Sequence, residues 1–170
     1  TWAIKERGGK TYYSTITRED LFNGDGDKRV VKEFLDCIKN FNILVGYYSS
    51  KFDLPYIRAK SLFYGFDFPG FSYYKNEKGL YSLQGEIIHW DLYYTVKYKL
   101  HLNRNSLANV TNYLGIDGKT PIDFDMWRKA KYGDPESISK ILDHNIHDVE
   151  ITEKLWERLI PYKKWTKGGL

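Results

Sequence analysis

Asp53 is the first residue whose position suggests chemistry. It lies in the segment NILVGYYSSKFDLPYI (residues 42–57), just past a predicted strand at 42–46 and in the first turn of a predicted helix at 52–63. Ligand sites in sheets covered by helices favour such strand ends. The position also suits an ordinary helix residue stabilised by the helix dipole, with Pro55 in the first turn. Spacing alone leaves both interpretations open.

A second segment combines an imidazole with a carboxylate at helical spacing. Residues 141–151 read ILDHNIHDVEI inside a long predicted helix. Side chains four residues apart share a helix face, so we expect His144 and Asp148 to project side by side. Such a pair could hold a divalent ion and orient or deprotonate its water, because histidine is the usual general base near neutral pH. An ordinary surface pair is the other interpretation.

The elements that position these segments are predicted to be strands in the first half of the chain and helices in the second. Strands are expected at 2–4, 11–16, 42–46, 80–83 and 86–90, with a long loop or irregular hairpin at 65–79. Helices are expected after Asp27, at 52–63, after Asp91, at 107–114 behind a Ser106 cap, at 126–131 behind an Asp125 cap, and at about 135–159 behind Asp134.

The composition is that of one soluble globular domain, with 170 residues, 26 Lys plus Arg, 22 Asp plus Glu and 42% hydrophobic residues. A chain of this length can bury a full core without disulfides or a structural metal. The single Cys37 excludes a disulfide framework and points to a reducing, cytoplasmic location. No apolar run approaches the roughly 20 residues of a membrane span. We expect one domain over 1–160 and a basic tail at 161–170.

Together the two segments resemble a known family. The pattern GYxSxxFDLPYI at 46–57 resembles the second motif of the DEDD superfamily of 3′-5′ exonucleases, in particular the proofreading domains of family B DNA polymerases and their stand-alone relatives. The pattern HNxxDV at 144–149 resembles the third motif of those relatives. Between them, HWDLYY at 89–94, SLANV at 106–110 and YLG at 113–115 resemble the family's middle segment.

The resemblance implies a ribonuclease H-like α/β fold, with a mixed sheet of about five strands and helices on both faces. It also implies hydrolysis of nucleotides from a DNA 3′ end by two divalent ions, Mg²⁺ or Mn²⁺. By motif, Asp53 would serve the metal nearer the leaving group, Asp148 would bind the metal that activates water, and His144 would face that water. We therefore expect Asp53 and Asp148 to share one cleft near Val45.

Three departures from the family pattern stand out. The first motif, Asp-x-Glu on an opening strand, is absent because the sequence begins at what resembles the second strand; Asp134-Pro135-Glu136 fits a helix cap instead. The 170-residue chain is therefore expected to bind metal poorly, to cleave little and to keep salt-sensitive nucleic-acid binding.

Tyr48 stands where the family usually has Asn. His144 has the four-residue spacing of the Tyr-type branch, so the branch stays open.

Basic and aromatic side chains are candidates for contact with the nucleic acid, whether single-stranded DNA, a frayed 3′ end or RNA. The candidates are Tyr47, Tyr48, Ser49, Lys51, Phe52, Arg58, Lys97, Lys99, His101 and Arg104, with Phe71, Tyr73 and Tyr74 as further stacking surfaces. Solvated lysines and core aromatics are the ordinary alternatives. A polymerase or repair partner is left open. The rival function is a non-catalytic nucleic-acid-binding or scaffold module that keeps the fold.

Overall fold

A computed structural model describes residues 1–73, 87–116 and 122–162. The strands in these ranges are β1 (Trp2–Lys5), β2 (Thr11–Ser14), β3 (Ile43–Gly46), β4 (Phe71–Tyr73) and β5 (Ile87–Asp91). The helices are α1 (Arg18–Phe22), α2 (Lys28–Ile38), α3 (Asp53–Tyr64), α4 (Leu92–Lys99), α5 (Leu107–Tyr113), α6 (Phe124–Lys131) and α7 (Pro135–Leu159), followed by a 3₁₀ turn (Ile160–Tyr162). Within these ranges, no helix combines the length and the hydropathy needed to cross a bilayer.

The strands form two sheets in the described part of the chain. β1 and β2 pair antiparallel, whereas β3, β5 and β4 form a parallel sheet with β5 in the middle. The expectation of one mixed sheet of about five strands is not confirmed, because the described strands form these two smaller sheets, one antiparallel and one parallel. β4 lies inside the segment predicted as a long loop or irregular hairpin, and the predicted strand at 80–83 lies outside the described residues.

The central position of β5 decides which strand is buried. Ile87, Ile88 and His89 are buried on β5, which has a neighbour on each side, whereas β3 is an edge strand within the described residues and its Ile43 is 49% exposed. The prediction that β3 is a buried strand is therefore wrong. Its mixed exposure is typical of an edge.

Helices cover both faces of the parallel sheet, as predicted. Successive side chains of a strand point to opposite faces, and Val45 and Trp90 pack on one buried cluster while Leu44 and Ile87 belong to the other. The first cluster joins α4, α5 and α7 through Leu92, Val96, Val110, Ile116, Ile151, Leu155 and Leu159. The second joins α2 to the sheet through Val31, Leu35, Ile38 and Ile87.

Two of the predicted helix caps are confirmed. Ser106 accepts a hydrogen bond from the Asn109 amide at the start of α5, and Asp134 accepts one from the Ser137 amide at the start of α7. The latter result confirms that Asp134-Pro135-Glu136 begins a helix.

The other two helix starts differ in detail from the prediction. α2 begins after Asp27 as predicted, but the Asp27 side chain makes no cap hydrogen bond, because it accepts from Tyr56, Lys60 and Tyr64 of α3. α6 is capped by Asp123, two residues before the predicted Asp125. Helix α1 was not predicted, although a capping box between Thr17 and Asp20 marks its start.

The N-terminal hairpin is anchored on the C-terminal helix. The Gly8 amide donates to Glu153 Oε1 at 2.7 Å, and Lys5 Nζ lies 3.7 Å from the same carboxylate. The guanidinium of Arg7 stacks over the Trp156 ring, 4.7 Å from its centroid. These polar contacts join the two ends of the described chain.

Replacing Glu153 by Ala should lower the free energy of unfolding by about 1 kcal/mol, because it removes one charge-assisted hydrogen bond and a half-buried ion pair. Urea denaturation measures the change. Glu157→Ala, at an exposed position one turn further along α7, is the matched control and should change stability by less than about 0.5 kcal/mol. Equal effects of the two substitutions would contradict the anchoring role of Glu153.

Candidate functional site

The loop between β3 and α3 is held by one carboxylate from the neighbouring strand. Asp91, at the end of β5, accepts hydrogen bonds at Oδ1 from the amides of Tyr48 (2.7 Å) and Tyr93 (3.1 Å). Its Oδ2 accepts from the amide (3.0 Å) and hydroxyl (2.5 Å) of Ser50. Because β3 and β5 run parallel, with Gly46 paired to Asp91, the loop leaves β3 directly beside this carboxylate.

A second contact folds the same loop back onto its strand. Ser49 Oγ lies 2.8 Å from His89 Nε2, and both residues are buried. A Cβ at Gly46 would collide with Ser49 Oγ and lie 2.7 Å from Ser49 Cβ. Glycine is therefore required at the end of β3 for this loop path. A serine beside a histidine could act as a nucleophile. Here both residues are buried, and their contact holds the loop after β3 against β5.

Tyr48 adopts an unusual backbone conformation in this loop. Its φ is +60°, in the left-handed region that non-glycine residues rarely occupy. The Asp91 hydrogen bond to its amide holds it there, and its ring meets the Tyr93 ring edge to face at 4.7 Å. The residue is 45% exposed, so the strained position leaves part of the tyrosine open to solvent.

Asp53 begins α3 immediately after the held loop. Desolvation raises the pKa of its carboxyl above the ordinary value, and the negative charge of Asp91 raises it further. The residue as a whole is exposed, so one side of it is crowded by protein while the other is open. A carboxylate held in this way is a candidate ligand for a cation, because a positive charge would relieve the unfavourable field.

His144 and Asp148 project side by side from α7, as predicted. His144 Nε2 lies 3.5 Å from Asp148 Oδ2. His144 is buried, whereas Asp148 is partly exposed and lines a cavity of about 430 Å³. The imidazole therefore lies behind the carboxylate, and the carboxylate reaches the surface.

The cavity beside Asp148 is lined by three tyrosines together with polar and aliphatic side chains. Its walls are formed by Tyr47, Tyr48, Tyr93, Asn105, Ser106, Leu107 and Asp148. Tyr47 donates its hydroxyl to the Asn105 carbonyl oxygen at 2.6 Å, and burial raises the pKa of that phenol well above its ordinary value. The cavity thus joins the end of β3, α4, the start of α5 and α7.

The remaining predicted contact residues divide into surface and interior groups. Lys51, Phe52, Lys97, Lys99 and Arg104 are exposed, together with Arg58 and His101. The hydroxyl of Ser49, another predicted contact residue, is buried against His89. Phe71 likewise packs in the core against Phe68. Tyr74 and the side chain of Tyr73 lie outside the described residues.

The oxygen donors of Asp53 and Asp148 are of the type that Mg²⁺ and Mn²⁺ prefer. Among residues 1–73, 87–116 and 122–162, however, no group of three or more Asp, Glu, His or Cys side chains is placed to hold a metal ion. Asp91 is occupied by its loop. The described side chains alone therefore do not fit a two-ion cage, and no chemical step is assigned through a metal.

The comparison with known proteins agrees with this architecture. Residues 6–160 match the family model described as the RNase_H superfamily, so the chain belongs to the ribonuclease H superfamily. The chain is also similar to a DNA polymerase of Methanocaldococcus jannaschii, with 23% identity over 167 residues. The match covers 92% of this chain and 10% of the polymerase, so the chain spans about a tenth of that relative's length.

Sequence reasoning missed the residues that hold the site. Asp91 and His89 entered only as part of a motif, and Asn105 and Tyr93 were not singled out as site residues. The signal for Asp91 was available: an Asp that ends a strand and precedes a helix is a strong N-cap candidate, and Asp91 accepts from the Tyr93 amide as an N-cap does. Its bonds to the neighbouring loop depend on strand pairing, which the sequence does not display.

Replacing Asp91 by Asn should lower the free energy of unfolding on the order of 2–4 kcal/mol, because an amide nitrogen would face N–H donors that are left without an acceptor. Chemical denaturation measures this. Asp123→Asn is the matched control, since Asp123 caps α6 with one hydrogen bond of 3.3 Å and Asn caps about equally well. A loss for Asp91→Asn no larger than that of the control would contradict the holding role.

Acidification should weaken the fold through His89. Burial lowers the pKa of His89 below 6.5, and Asp91 opposes this only in part. The unfolded chain therefore takes up a proton before the folded chain does, so the free energy of unfolding should fall as pH drops below about 6.5, by at most about 1.4 kcal/mol per pH unit for this group. Urea unfolding at pH 7.5 and 5.5 measures the slope.

His89→Gln should flatten that slope while preserving a polar partner for Ser49. His101→Asn, at an exposed position with φ +50° that Asn tolerates, is the control and should leave the slope unchanged. An unaltered slope in His89→Gln would assign the pH dependence to other groups.

Proposed function

We propose that this chain is a 3′-5′ exonuclease domain of the DEDD type, which hydrolyses phosphodiester bonds at the 3′ end of DNA. The observation that carries the proposal is the placement of Asp148 in a tyrosine-lined cavity at the end of β3, where the loop leading to Asp53 begins. Proofreading and repair are the biological settings that suit this activity.

Membership of the ribonuclease H superfamily supports a nuclease, because its members are generally nucleases. The similarity to a DNA polymerase favours DNA as the substrate. Exposed aromatic rings can stack on bases irrespective of sequence, and exposed lysines and arginines can neutralise phosphates. Single-stranded DNA or a frayed 3′ end is therefore the proposed substrate, with RNA as a comparison in the assay.

The proposed roles follow from burial. Asp148 and Asp53 have access to solvent and act as the metal-binding carboxylates. His144 is 8% exposed and 3.5 Å from Asp148, which favours a positioning role in which it fixes the carboxylate. This differs from the sequence-based expectation that His144 addresses the water directly.

The proposed cofactor is Mg²⁺ or Mn²⁺. Two ions roughly 3.5–4 Å apart are the usual means of stabilising the entering and leaving oxygens in phosphodiester hydrolysis. Asp53 and Asp148 provide two carboxylates, and a two-ion site requires further oxygen ligands beyond the described side chains. The function is therefore tested on the product of the complete gene, which contains every ligand that the natural protein supplies.

A second candidate is a nucleic-acid-binding module without catalysis. It is favoured by one observation, that the described residues do not assemble three metal ligands. This module would bind single-stranded DNA equally well in EDTA and in Mn²⁺, with an affinity that falls steeply with salt. The two candidates make opposite predictions for cleavage, so one assay separates them.

Asp148→Ala and Asp53→Ala should each reduce exonuclease activity at least a hundredfold, because loss of one carboxylate removes both charge and a fixed ligand position. The assay uses 5′-labelled single-stranded DNA with Mn²⁺ or Mg²⁺ and follows a ladder that shortens from the 3′ end. A 3′-terminal phosphorothioate should slow the wild-type reaction, and EDTA should abolish it.

Asp143→Ala is the matched control, since Asp143 is an exposed carboxylate on the same helix. It should retain wild-type activity. Full activity in Asp148→Ala would place the reaction elsewhere. Absence of cleavage by the complete gene product, together with metal-independent DNA binding, would establish the binding module instead.

A further inference from the structure

A groove of about 740 Å³ lies between the first hairpin and α2, and none of its described lining residues lines the cavity beside Asp148. One wall contains the three consecutive residues 11–13 of β2. Successive strand residues point to opposite faces, so three in a row border one groove when the groove runs along the edge of the strand. The opposite wall is a face of α2 that carries residues 33, 36, 37 and 40.

The outer edge of β2 carries backbone groups that are free to bond. The Glu6 amide donates to the Lys10 carbonyl oxygen at 2.9 Å. Hydrogen-bonded pairs alternate with non-bonded pairs in an antiparallel ladder, so Tyr12 bonds to β1, whereas the N–H and C=O groups of Thr11 and Tyr13 point away from it. In the described part of the chain, β2 has no strand on this side and no other group bonds to these four.

The groove is acidic. Its described charged lining residues are Glu6, Glu33 and Asp36, and no Lys or Arg is among them, although the chain has a net charge of +4. The two carboxylates of α2 are paired with basic residues of the same helix. Glu6 has no cationic partner among the described residues; it accepts from the Tyr12 hydroxyl at 3.3 Å, and its charge raises the pKa of that phenol. This charge disfavours a nucleic-acid strand and favours a basic ligand.

Aromatic rings provide the second feature that a basic ligand can use. Tyr12 meets Phe41 edge to face at 6.0 Å, and Tyr13 is 56% exposed. Lysine and arginine side chains are attracted to aromatic faces, and tyrosine is enriched at protein interfaces. A basic side chain could therefore lie along Tyr12 with its charged end beside Glu6.

We propose that the outer edge of β2 binds an extended, basic segment of a partner protein, which adds a third strand to the hairpin sheet. The backbone groups of Thr11 and Tyr13 supply the main-chain hydrogen bonds, and alternate side chains of the segment enter the groove, with a Lys or Arg directed to Glu6. The proposal is independent of the nuclease function, because none of these residues belongs to the candidate site.

Peptide binding tests the proposal. The probe is the acetylated and amidated peptide Thr-Lys-Val-Arg-Val-Lys-Thr, which is titrated into isotope-labelled protein and followed by NMR. It should bind with a Kd of about 0.1–1 mM, as expected for about four backbone hydrogen bonds and one charged contact, and shift the amide signals of Thr11 and Tyr13. The same peptide with Glu in place of Lys and Arg should bind at least about tenfold more weakly. Absence of binding by the basic peptide would overturn the proposal.

Methylation of the peptide backbone separates strand addition from simple charge attraction. Only every second residue of an added strand turns its N–H toward β2. Methylating the nitrogens of that set should abolish binding, whereas methylating those of the other set should leave binding in place. Equal effects of the two methylated sets would contradict strand addition.

Glu6→Gln should weaken binding of the basic peptide about three- to tenfold, because it removes the carboxylate that has no cationic partner. Glu19→Gln, at an exposed position on α1 outside the groove, is the matched control and should bind the peptide as the wild type does.

Tyr13→Pro should abolish peptide binding, because it removes an outward N–H that an edge strand can lose without breaking its inner ladder. Tyr13→Thr keeps this N–H and should bind within about threefold of the wild type. Circular dichroism verifies that both variants are folded. Undiminished binding in Glu6→Gln and in Tyr13→Pro would place the peptide elsewhere on the protein.

A second copy of this chain is the competing occupant of the edge. Sedimentation of the wild-type protein should give a monomer. A concentration-dependent dimer that Tyr13→Pro dissociates would assign the edge to pairing between two copies and would overturn the proposal of a different partner.

Discussion

The site depends on one buried carboxylate. Asp91 ends the central strand of the parallel sheet and accepts four hydrogen bonds, three from backbone amides and one from a hydroxyl. Charge-assisted hydrogen bonds of this kind are among the stronger ones in proteins. They determine the path of the loop after β3, the left-handed conformation of Tyr48 and the point at which α3 begins. The part of the candidate site contributed by residues 47–53 and by Tyr93 is therefore positioned by this carboxylate.

The acidic residues near this end of the sheet have divided roles. Asp91 is turned inward and saturated with donors, whereas Asp53 and Asp148 lie where a ligand can reach them. The inward charge also acts on its neighbour, since it contributes to the raised pKa of Asp53. Asp91 thus has a structural role, whereas the negative charge of Asp91 disfavours the ionised form of Asp53. Carboxylates with raised pKa values are typical of functional sites.

Much of this arrangement could be predicted from sequence because it follows from local patterns. The i, i+4 spacing of His144 and Asp148 placed them together on one helix, and the Pro135 signal located the start of α7 correctly. Strand pairing cannot be predicted from such local patterns, because it joins residues that are distant in the sequence. The burial of β5 rather than β3, and the choice of Asp27 to contact α3 rather than cap its own helix, both depend on which elements become neighbours. The tyrosine-lined cavity is of the same kind, since its walls come from four separate segments.

The docking of the first hairpin on the last long helix has a consequence for biosynthesis. The bond between Gly8 and Glu153 closes a separation of 145 residues, so the hairpin leaves the ribosome long before its partner exists. At about 5–20 residues per second, the delay is roughly 7–30 s. Over that interval the outer edges of β1 and β2 are open to other chains, and isolated two-stranded hairpins are marginally stable in water. The hairpin therefore acquires its anchoring contacts only after α7 has been synthesised.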